Sequence, residues 1–172
     1  MNLPNEIPGI RSLFMCRPET AAQLDTLVQT LLHNPHPMLN CGERELIAAY
    51  VSRLNTCKYC CNIHGSLVDE NQLGDNSEMI IQVLTDPETA PISNKMKALL
   101  NIADKVHTSR KKVTADDIAL AIKEGATDME IYDTRFIADA FCMYNCYVAG
   151  LAAYQPDDVE QFIDEEYSTA SF

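Results

Sequence analysis

The sequence predicts an all-α protein, a compact bundle of about seven helices. Apolar residues recur at helical spacing along most of the chain, and we find no convincing alternation of the kind that marks β-strands. Residues typical of helix caps and helix stops separate these segments. With 172 residues, of which 47% are hydrophobic and 22% charged, the chain suits one domain with a sizeable core, and wholesale disorder is not expected.

The first forty residues contain a predicted arm and the first predicted helix. Residues 1–20 carry three prolines and a glycine, which predict an extended or irregular arm. Residues 21–33 place five apolar side chains on one helical face, and Pro35 ends that pattern. Asn40 followed by Glu43 has the spacing of a helix cap, so a second helix is expected to begin there.

The middle of the chain predicts three further helices. Asn55 and Thr56 interrupt the apolar pattern and are expected to cap a helix that begins at Cys57. Weaker patterns predict a short helix near residues 77–84 and an amphipathic helix over residues 93–107. The first cysteine of a closely spaced group is therefore predicted to lie at the amino end of a helix.

Two more helices complete the predicted bundle. Thr114 is expected to cap a helix over residues 115–124, which a glycine follows. Thr127 and Glu130 have capping-box spacing ahead of a long helix from residue 131 to about residue 154. This last helix is apolar nearly all round, which indicates either a central helix or one shared with a partner subunit.

The predicted domain organisation follows from these boundaries. An N-terminal arm over residues 1–20 precedes a helical domain over residues 21–154, and an acidic tail over residues 155–172 ends the chain. The tail contains no strong helical pattern and is expected to dock loosely or fray.

Composition disfavours several classes of protein. The chain has 13 Lys and Arg against 25 Asp and Glu, a net charge of −12, which argues against sequence-independent binding of nucleic acid. No apolar stretch approaches the roughly 18 residues of a membrane span, and the first residues do not resemble a signal peptide. Seven cysteines, an odd number, fit a secreted disulfide framework poorly, so we expect a soluble, cytoplasmic protein in a reducing environment.

One short segment carries most of the predicted chemistry. Cys57, Cys60 and His64 lie at positions i, i+3 and i+7, so one helix face presents two thiols and an imidazole. A thiol at the amino end of a helix is acidified by unpaired N–H groups and the helix dipole. Two such thiols can close a disulfide after one is oxidised. Glu45 has the chemistry to orient or deprotonate the imidazole, but spacing alone leaves its placement open.

This segment resembles a known signature. Glu, eleven residues, Cys, two residues, Cys, three residues and His is the pattern of the alkylhydroperoxidase D and carboxymuconolactone decarboxylase superfamily, and the surrounding residues are similar to its peroxidase-related branch. The similarity covers about residues 3–154. The residues that match the signature are Glu45, Cys57, Cys60 and His64.

The resemblance implies an all-helical fold that assembles into a homo-oligomer, a trimer or a hexamer. It implies thiol-dependent peroxidase or disulfide oxidoreductase activity, with a hydroperoxide or disulfide as substrate and an external thiol as reductant. It also implies that Cys60 attacks the peroxide, that Cys57 resolves the product, and that the histidine and glutamate relay the proton. The helix-terminus argument favours Cys57 as the more acidic thiol, so the roles within the pair stay open.

No cofactor is expected, since the sequence has no glycine-rich phosphate loop. The thiol pair also argues against the decarboxylase branch, which generally lacks it. Two alternative functions remain open: a non-enzymatic helical module that senses redox state or transfers disulfides, and a metal-binding protein. In the second, the ligands of a zinc ion would be Cys57, Cys60 and His64 with Cys142 or Cys146.

The remaining cysteines and histidines receive no chemical role from the sequence. Taken singly, the other five cysteines are expected to be buried small hydrophobic residues. The other histidines lie at predicted helix ends or in loops, and are expected to be surface or capping residues. They are His33, His36 and His107.

Overall fold

In a computed structural model, which describes residues 3, 6–35, 38–68, 77–109 and 112–156, the chain forms helices and no β-strand within those ranges. The described helices are α1 (Gly9–Cys16), α2 (Pro18–Leu32), α3 (Cys41–Leu54), α4 (Lys58–Val68), α5 (Ser77–Thr85), α6 (Asn94–Thr108), α7 (Ala115–Lys123) and α8 (Asp128–Gly150). The predicted all-α fold class is therefore confirmed.

Helix caps account for several of these boundaries. The side chain of Asn40 accepts the N–H of Glu43 at 2.8 Å, and the Glu43 carboxylate accepts the N–H of Asn40 at 2.9 Å. Thr127 and Glu130 form the same reciprocal capping box at the start of α8, and Thr114 caps α7. Each box satisfies N–H groups that the first turn of a helix leaves unpaired, which fixes the start of the helix.

The core lies where α3 packs against α6 and α8. Ten of the 14 residues of α3 are buried, whereas nine of the 23 residues of α8 are buried. The central helix is thus α3, and the long apolar α8 buries one face while Met129, Tyr132, Phe136 and Met143 on it are exposed. A central α3 forces any ionisable residue on it to find partners inside the protein.

The predicted extended arm is wrong over its second half. Gly9–Cys16 forms α1, and α2 begins at Pro18. Pro18 is the first residue of its helix, where the missing N–H would have no intrahelical partner, so proline is well tolerated there. Pro8 and Pro18, which suggested an irregular arm, therefore mark the beginnings of α1 and α2.

Gly9 fixes the approach of α1 to α4, and its substitution tests this packing. Gly9 has φ +57°, and a Cβ on it would lie 2.4 Å from the ring of Tyr59. We expect Gly9→Ala to lower the free energy of unfolding by about 1–3 kcal/mol, measured by urea denaturation. Gly150→Ala is the control, because its Cβ would meet nothing within 4 Å. Equal stabilities of the two variants would contradict this account of the packing.

The long helix ends earlier than the sequence predicts. α8 stops at Gly150 because Ala152 takes a left-handed conformation, φ +51°, and the N–H of Ala153 bonds to the carbonyl of Val148 at 3.1 Å. These are the features of a Schellman motif, which turns the chain out of a helix. Of the acidic tail predicted over residues 155–172, residues 157–172 lie outside the described residues, so its predicted behaviour stays a prediction.

Candidate active site

The turn between α3 and α4 places the first thiol of the motif. Asn55 is the C-cap of α3, Thr56 has φ +57°, and the N–H of Cys57 bonds to the carbonyl of Ser52 at 3.0 Å. This is again a Schellman motif, and α7 ends in the same way around Gly125, φ +98°. A left-handed threonine is strained, because its side chain is branched at Cβ. Asn55 and Thr56 thus end α3 and do not cap α4 as predicted.

Cys57 itself occupies the cap position of α4. It immediately precedes the helix, and its carbonyl accepts the N–H of Cys61 at 2.9 Å. Its sulfur accepts both the backbone N–H and the thiol of Cys60. A side chain that accepts the N–H three residues ahead is the usual arrangement of an N-cap. The two cysteines are therefore spaced as an N-cap residue and the residue whose N–H it accepts.

These contacts lower the pKa of Cys57 to about 7. The largest cause is the hydrogen bond from the thiol of Cys60. Burial acts in the opposite direction, and the backbone N–H of Cys60, the charge of His64 and the amide of Asn145 add to the lowering. A thiol with this pKa is about half ionised at neutral pH, against a few per cent for a free thiol. Cys57 is 1% exposed and Cys60 is half-buried.

The amide of Asn145 can be removed to test this pKa. We expect the thiolate absorbance of Cys57 to rise with pH with a midpoint near 7, and Asn145→Ala to move this midpoint upward. The absorbance is measured in the ultraviolet, and the titration of the Cys57→Ser variant is subtracted to assign the change to Cys57. Asn62→Ala, on the exposed side of α4, is the control. An unchanged midpoint in the Asn145 variant would show that its amide does not stabilise the thiolate.

Glu45 lies on α3, completely buried, and each carboxylate oxygen meets a histidine. Oε2 lies 2.7 Å from Nδ1 of His64, and Oε1 lies 2.6 Å from Nε2 of His33. Burial raises the pKa of Glu45, but the charge of His64 and the hydrogen bonds from both histidines outweigh it, so the pKa lies below its ordinary value. The fold therefore brings Glu45 to His64, which the spacing alone left open.

His64 is oriented from two sides. Because an ionised carboxylate only accepts hydrogen bonds, Nδ1 of His64 carries the proton that it donates to Glu45. In the neutral ring, Nε2 then holds the lone pair. The ring stands edge-on against Phe141 of α8, with centroids 4.7 Å apart and an interplanar angle of 87°. The helix that carries the thiol pair thus also carries a base of fixed tautomer.

His33 is the site residue that sequence reasoning missed. It follows α2 directly, its Nδ1 lies 2.7 Å from Oε1 of Gln29, and its Nε2 is paired with Glu45. The prediction of a surface or capping residue is confirmed, since His33 is the C-cap of α2 and its side chain is 26% exposed, but its contact with Glu45 is not predicted. Its contact with Gln29 has the local spacing i, i+4, but the contact with Glu45 depends on how α2 packs on α3. His36 lies outside the described residues.

A second polar chain supports the thiol pair from the side of α8. Asn145, 1% exposed, donates to Oγ of Ser52 at 3.1 Å and accepts the amide of Asn55 at 3.0 Å. Nδ1 of His107 lies 3.1 Å from Oδ1 of Asn55, so His107 pairs across helices instead of simply facing solvent. Three helices therefore hold the amide that contacts the sulfur of Cys57.

Comparison with known proteins identifies the fold. No family model and no curated protein matches the chain. The alkylhydroperoxidase AhpD core of an uncharacterized peroxidase-related protein from Ralstonia eutropha JMP134 is similar to it, with a TM-score of 0.79 and 22% identity over 91% of this chain and 80% of that one.

An uncharacterized peroxidase-related protein from Silicibacter sp. TM1040 has a TM-score of 0.78 and 20% identity, covering 95% of this chain and 90% of that one. A putative antioxidant defence protein AhpD from Agrobacterium tumefaciens, of unknown function, has a TM-score of 0.72 and 18% identity, covering 85% and 97%. The chain has the AhpD-like fold. At these identities the likeness establishes the fold, and chemistry must be argued from the site.

Within the AhpD-like fold, the other five cysteines differ in exposure. Cys61 is buried, and burial raises its pKa to about 11. Cys41 and Cys142 are partly buried. Cys16, at the end of α1, and Cys146, on the solvent side of α8, are exposed, so the prediction of burial is wrong for these two.

The zinc site that the sequence leaves open as an alternative does not form among the described residues. Among the described residues, the donor atoms that come together belong to His33, Cys41 and Glu45, all within 4.8 Å of one another. The alternative zinc ligands around Cys57 and Cys60 do not come together in this way. Those two thiols are instead hydrogen-bonded to each other within the AhpD-like fold.

Proposed function

We propose that the protein is a thiol-dependent peroxidase and disulfide oxidoreductase that acts through the redox pair Cys57 and Cys60. The proton relay consists of His64 and Glu45. The observation that carries the proposal is the pairing of the two cysteines, in which hydrogen bonds from the thiol and N–H of Cys60 lower the pKa of Cys57 to about 7. A pair of thiols that shares a proton in this way is prepared for disulfide chemistry at neutral pH.

In the proposed reaction, a thiolate attacks one oxygen of a hydroperoxide. A sulfur–oxygen bond forms, the oxygen–oxygen bond breaks, and the released alkoxide takes a proton and leaves as an alcohol, while the cysteine becomes a sulfenic acid. The second thiol then attacks this sulfur, so that a disulfide forms and water leaves. Two electrons pass from the thiol pair to the peroxide, and an external thiol must return them.

We assign the attack on the peroxide to Cys60, because its sulfur is partly exposed while Cys57 is 1% exposed. Transfer of the Cys60 proton along the existing hydrogen bond to Cys57 leaves the thiolate on the accessible sulfur. An external thiol would also reach Cys60 in the disulfide, and Cys57 would leave as a stabilised thiolate. A more acidic thiol leaves faster, which favours reduction in this direction.

His64 transfers the proton between the thiol pair and the leaving oxygen. With Nδ1–H of His64 held by Glu45, Nε2 can take a proton from the thiol pair and return it to the leaving oxygen. The buried carboxylate stabilises the imidazolium that forms between these two steps. Proton transfer by a positioned side chain typically contributes a factor of about 10² to 10⁴ to the rate.

The neighbours agree with this proposal through their names, since two are peroxidase-related and one is a putative antioxidant defence protein. The reaction needs a thiol reductant, so we place it in the reducing cytoplasm, as the cysteine content predicts. No described helix is long and apolar enough to cross a membrane.

The exposed apolar residues of α7 and α8 support a homo-oligomer, a trimer or a hexamer. On α7, Ile118, Leu120 and Ile122 are exposed, and on α8 the exposed set includes Tyr132 and Phe136. Large exposed apolar patches are typical of subunit interfaces. A mass of three or six chains, measured by light scattering, is the expected result.

Peroxide consumption by the purified protein, with dithiothreitol as the external thiol, tests the proposed function. We expect repeated turnover of an organic hydroperoxide, with one alcohol formed for each dithiothreitol oxidised. Absence of turnover, together with rapid reduction of a protein disulfide, would replace the peroxidase by a disulfide-transfer function.

A further inference from the structure

One group of side chains beside the thiol pair has chemistry that the proposed reaction does not use. Nε2 of His33, Sγ of Cys41 and a carboxylate oxygen of Glu45 lie within 4.8 Å of one another. Cys41 is the first residue of α3 and Glu45 lies one turn later, so both face the end of α2. We propose that these three residues form a binding site for a divalent transition metal of the zinc type.

The contacts of His33 are those of a metal ligand. A metal-bound histidine usually donates its other ring N–H to an oxygen, which fixes the tautomer. Nδ1 of His33 lies 2.7 Å from Oε1 of Gln29, which leaves Nε2 directed at Glu45 at 2.6 Å. A metal ion bound by both Nε2 of His33 and the carboxylate of Glu45 would keep these two groups together.

The donor set suits zinc in kind and in charge. Imidazole, thiolate and carboxylate are all ordinary zinc ligands, and three protein ligands leave a fourth position for water. Zn²⁺ with one thiolate and one carboxylate is neutral, which favours a site around the completely buried Glu45. Ligands at about 2.0–2.3 Å from one ion lie about 3.5 Å apart, so Nε2 of His33 and Oε1 of Glu45, now 2.6 Å apart, would separate slightly and Sγ of Cys41 would move closer to them.

The segment that carries these ligands is held in place. Arg44, 4% exposed, donates to the carbonyl of Leu31 at 3.2 Å and to that of Asn34 at 2.8 Å. These bonds tie the end of α2 to the first turn of α3. His33 is 26% exposed at its side chain and Cys41 is partly buried, so an ion can reach the group from solvent. On binding, the ion would replace the proton on Nε2 and the proton of the Cys41 thiol.

Cobalt binding to the double variant Cys57→Ser, Cys60→Ser tests this site without interference from the redox pair. We expect one Co²⁺ per chain, a thiolate-to-cobalt charge-transfer band, and displacement of the cobalt by Zn²⁺. Adding Cys41→Ser should remove the band, and adding His33→Gln should weaken binding at least tenfold. Adding Cys16→Ser, which replaces an exposed cysteine outside the group, should change neither the charge-transfer band nor the affinity for cobalt.

A charge-transfer band that survives Cys41→Ser, or the absence of stoichiometric binding, would overturn the proposal. Circular dichroism of each variant checks that the helices are intact, and Cys41→Ala provides a second test of the thiolate ligand. Because the double variant lacks the redox pair, absence of cobalt binding in it does not bear on the proposed peroxidase. Failure of peroxide turnover likewise leaves the metal site in place.

Discussion

Replacement of either thiol of the redox pair is expected to abolish peroxide turnover. Cys60→Ser removes the sulfur assigned to the attack, and Cys57→Ser removes both the partner that closes the disulfide and the acceptor of the Cys60 proton. When two groups act as a unit, removal of either one costs nearly as much rate as removal of both. We therefore expect kcat/KM to fall by about 10³-fold or more in each variant. Steady-state peroxide consumption with dithiothreitol measures it.

The two variants should differ in what they accumulate. Cys57→Ser retains the accessible sulfur and should form a sulfenic acid or a mixed disulfide at Cys60, whereas Cys60→Ser should form neither at a comparable rate. Cys16→Ser is the matched control, because it removes an exposed thiol at the end of α1. Unchanged turnover in either redox variant would falsify the dithiol mechanism, and trapping at Cys57 alone would reverse the assignment within the pair.

Glu45→Gln is also expected to produce a large loss of peroxide turnover. The amide keeps the shape of the side chain but can present an N–H to Nδ1 of His64, which would move the ring proton to Nε2 and remove the base. The variant also lacks the charge that stabilises the imidazolium. We expect kcat to fall by about 10² to 10⁴-fold, with a changed pH profile.

Glu43→Gln is the control for this variant, on the same helix and with the same change of charge. Glutamine can serve in a capping box, so α3 should keep its start and turnover should change little. Urea denaturation of both variants separates a loss of chemistry from a loss of folded protein. If Glu45→Gln remained as active as Glu43→Gln, the buried carboxylate would have no part in proton transfer.

The sequence predicts helices well where a local signal defines their ends. The caps at Asn40 and Thr127 depend on residues three positions apart, and they are found as predicted. Gly125 likewise ends α7 in a left-handed conformation. These features concern neighbouring residues only, so they can be read directly from the chain.

Predictions fail where local patterns are ambiguous or where packing decides. The pattern predicts that Asn55 and Thr56 cap α4, but Thr56 takes the left-handed position that ends α3, where glycine is usual. This shift makes Cys57 the N-cap of α4. Its spacing to Cys60 is compatible with that role but does not predict it. The prolines of the first twenty residues were ambiguous for the same reason, since proline both breaks helices and begins them.

The candidate site was predictable in composition and less so in geometry. Spacing along one helix placed His64 beside the thiols, and the resemblance to a known signature supplied Glu45. His33 and Asn145 enter the site from α2 and α8 through tertiary contacts, and local periodicity carries no information about such contacts. The metal-ligand group is hidden for the same reason, because it requires α2 to end against the first turn of α3.

A count of free thiols before and after addition of peroxide tests the central claim most directly. The chain has seven cysteines, and in the structure no disulfide joins Cys57 to Cys60. We predict that one equivalent of peroxide removes two thiols and leaves five, with peptide mass analysis showing a Cys57–Cys60 disulfide. Seven thiols after treatment, or a loss confined to exposed cysteines such as Cys16 and Cys146, would contradict the account.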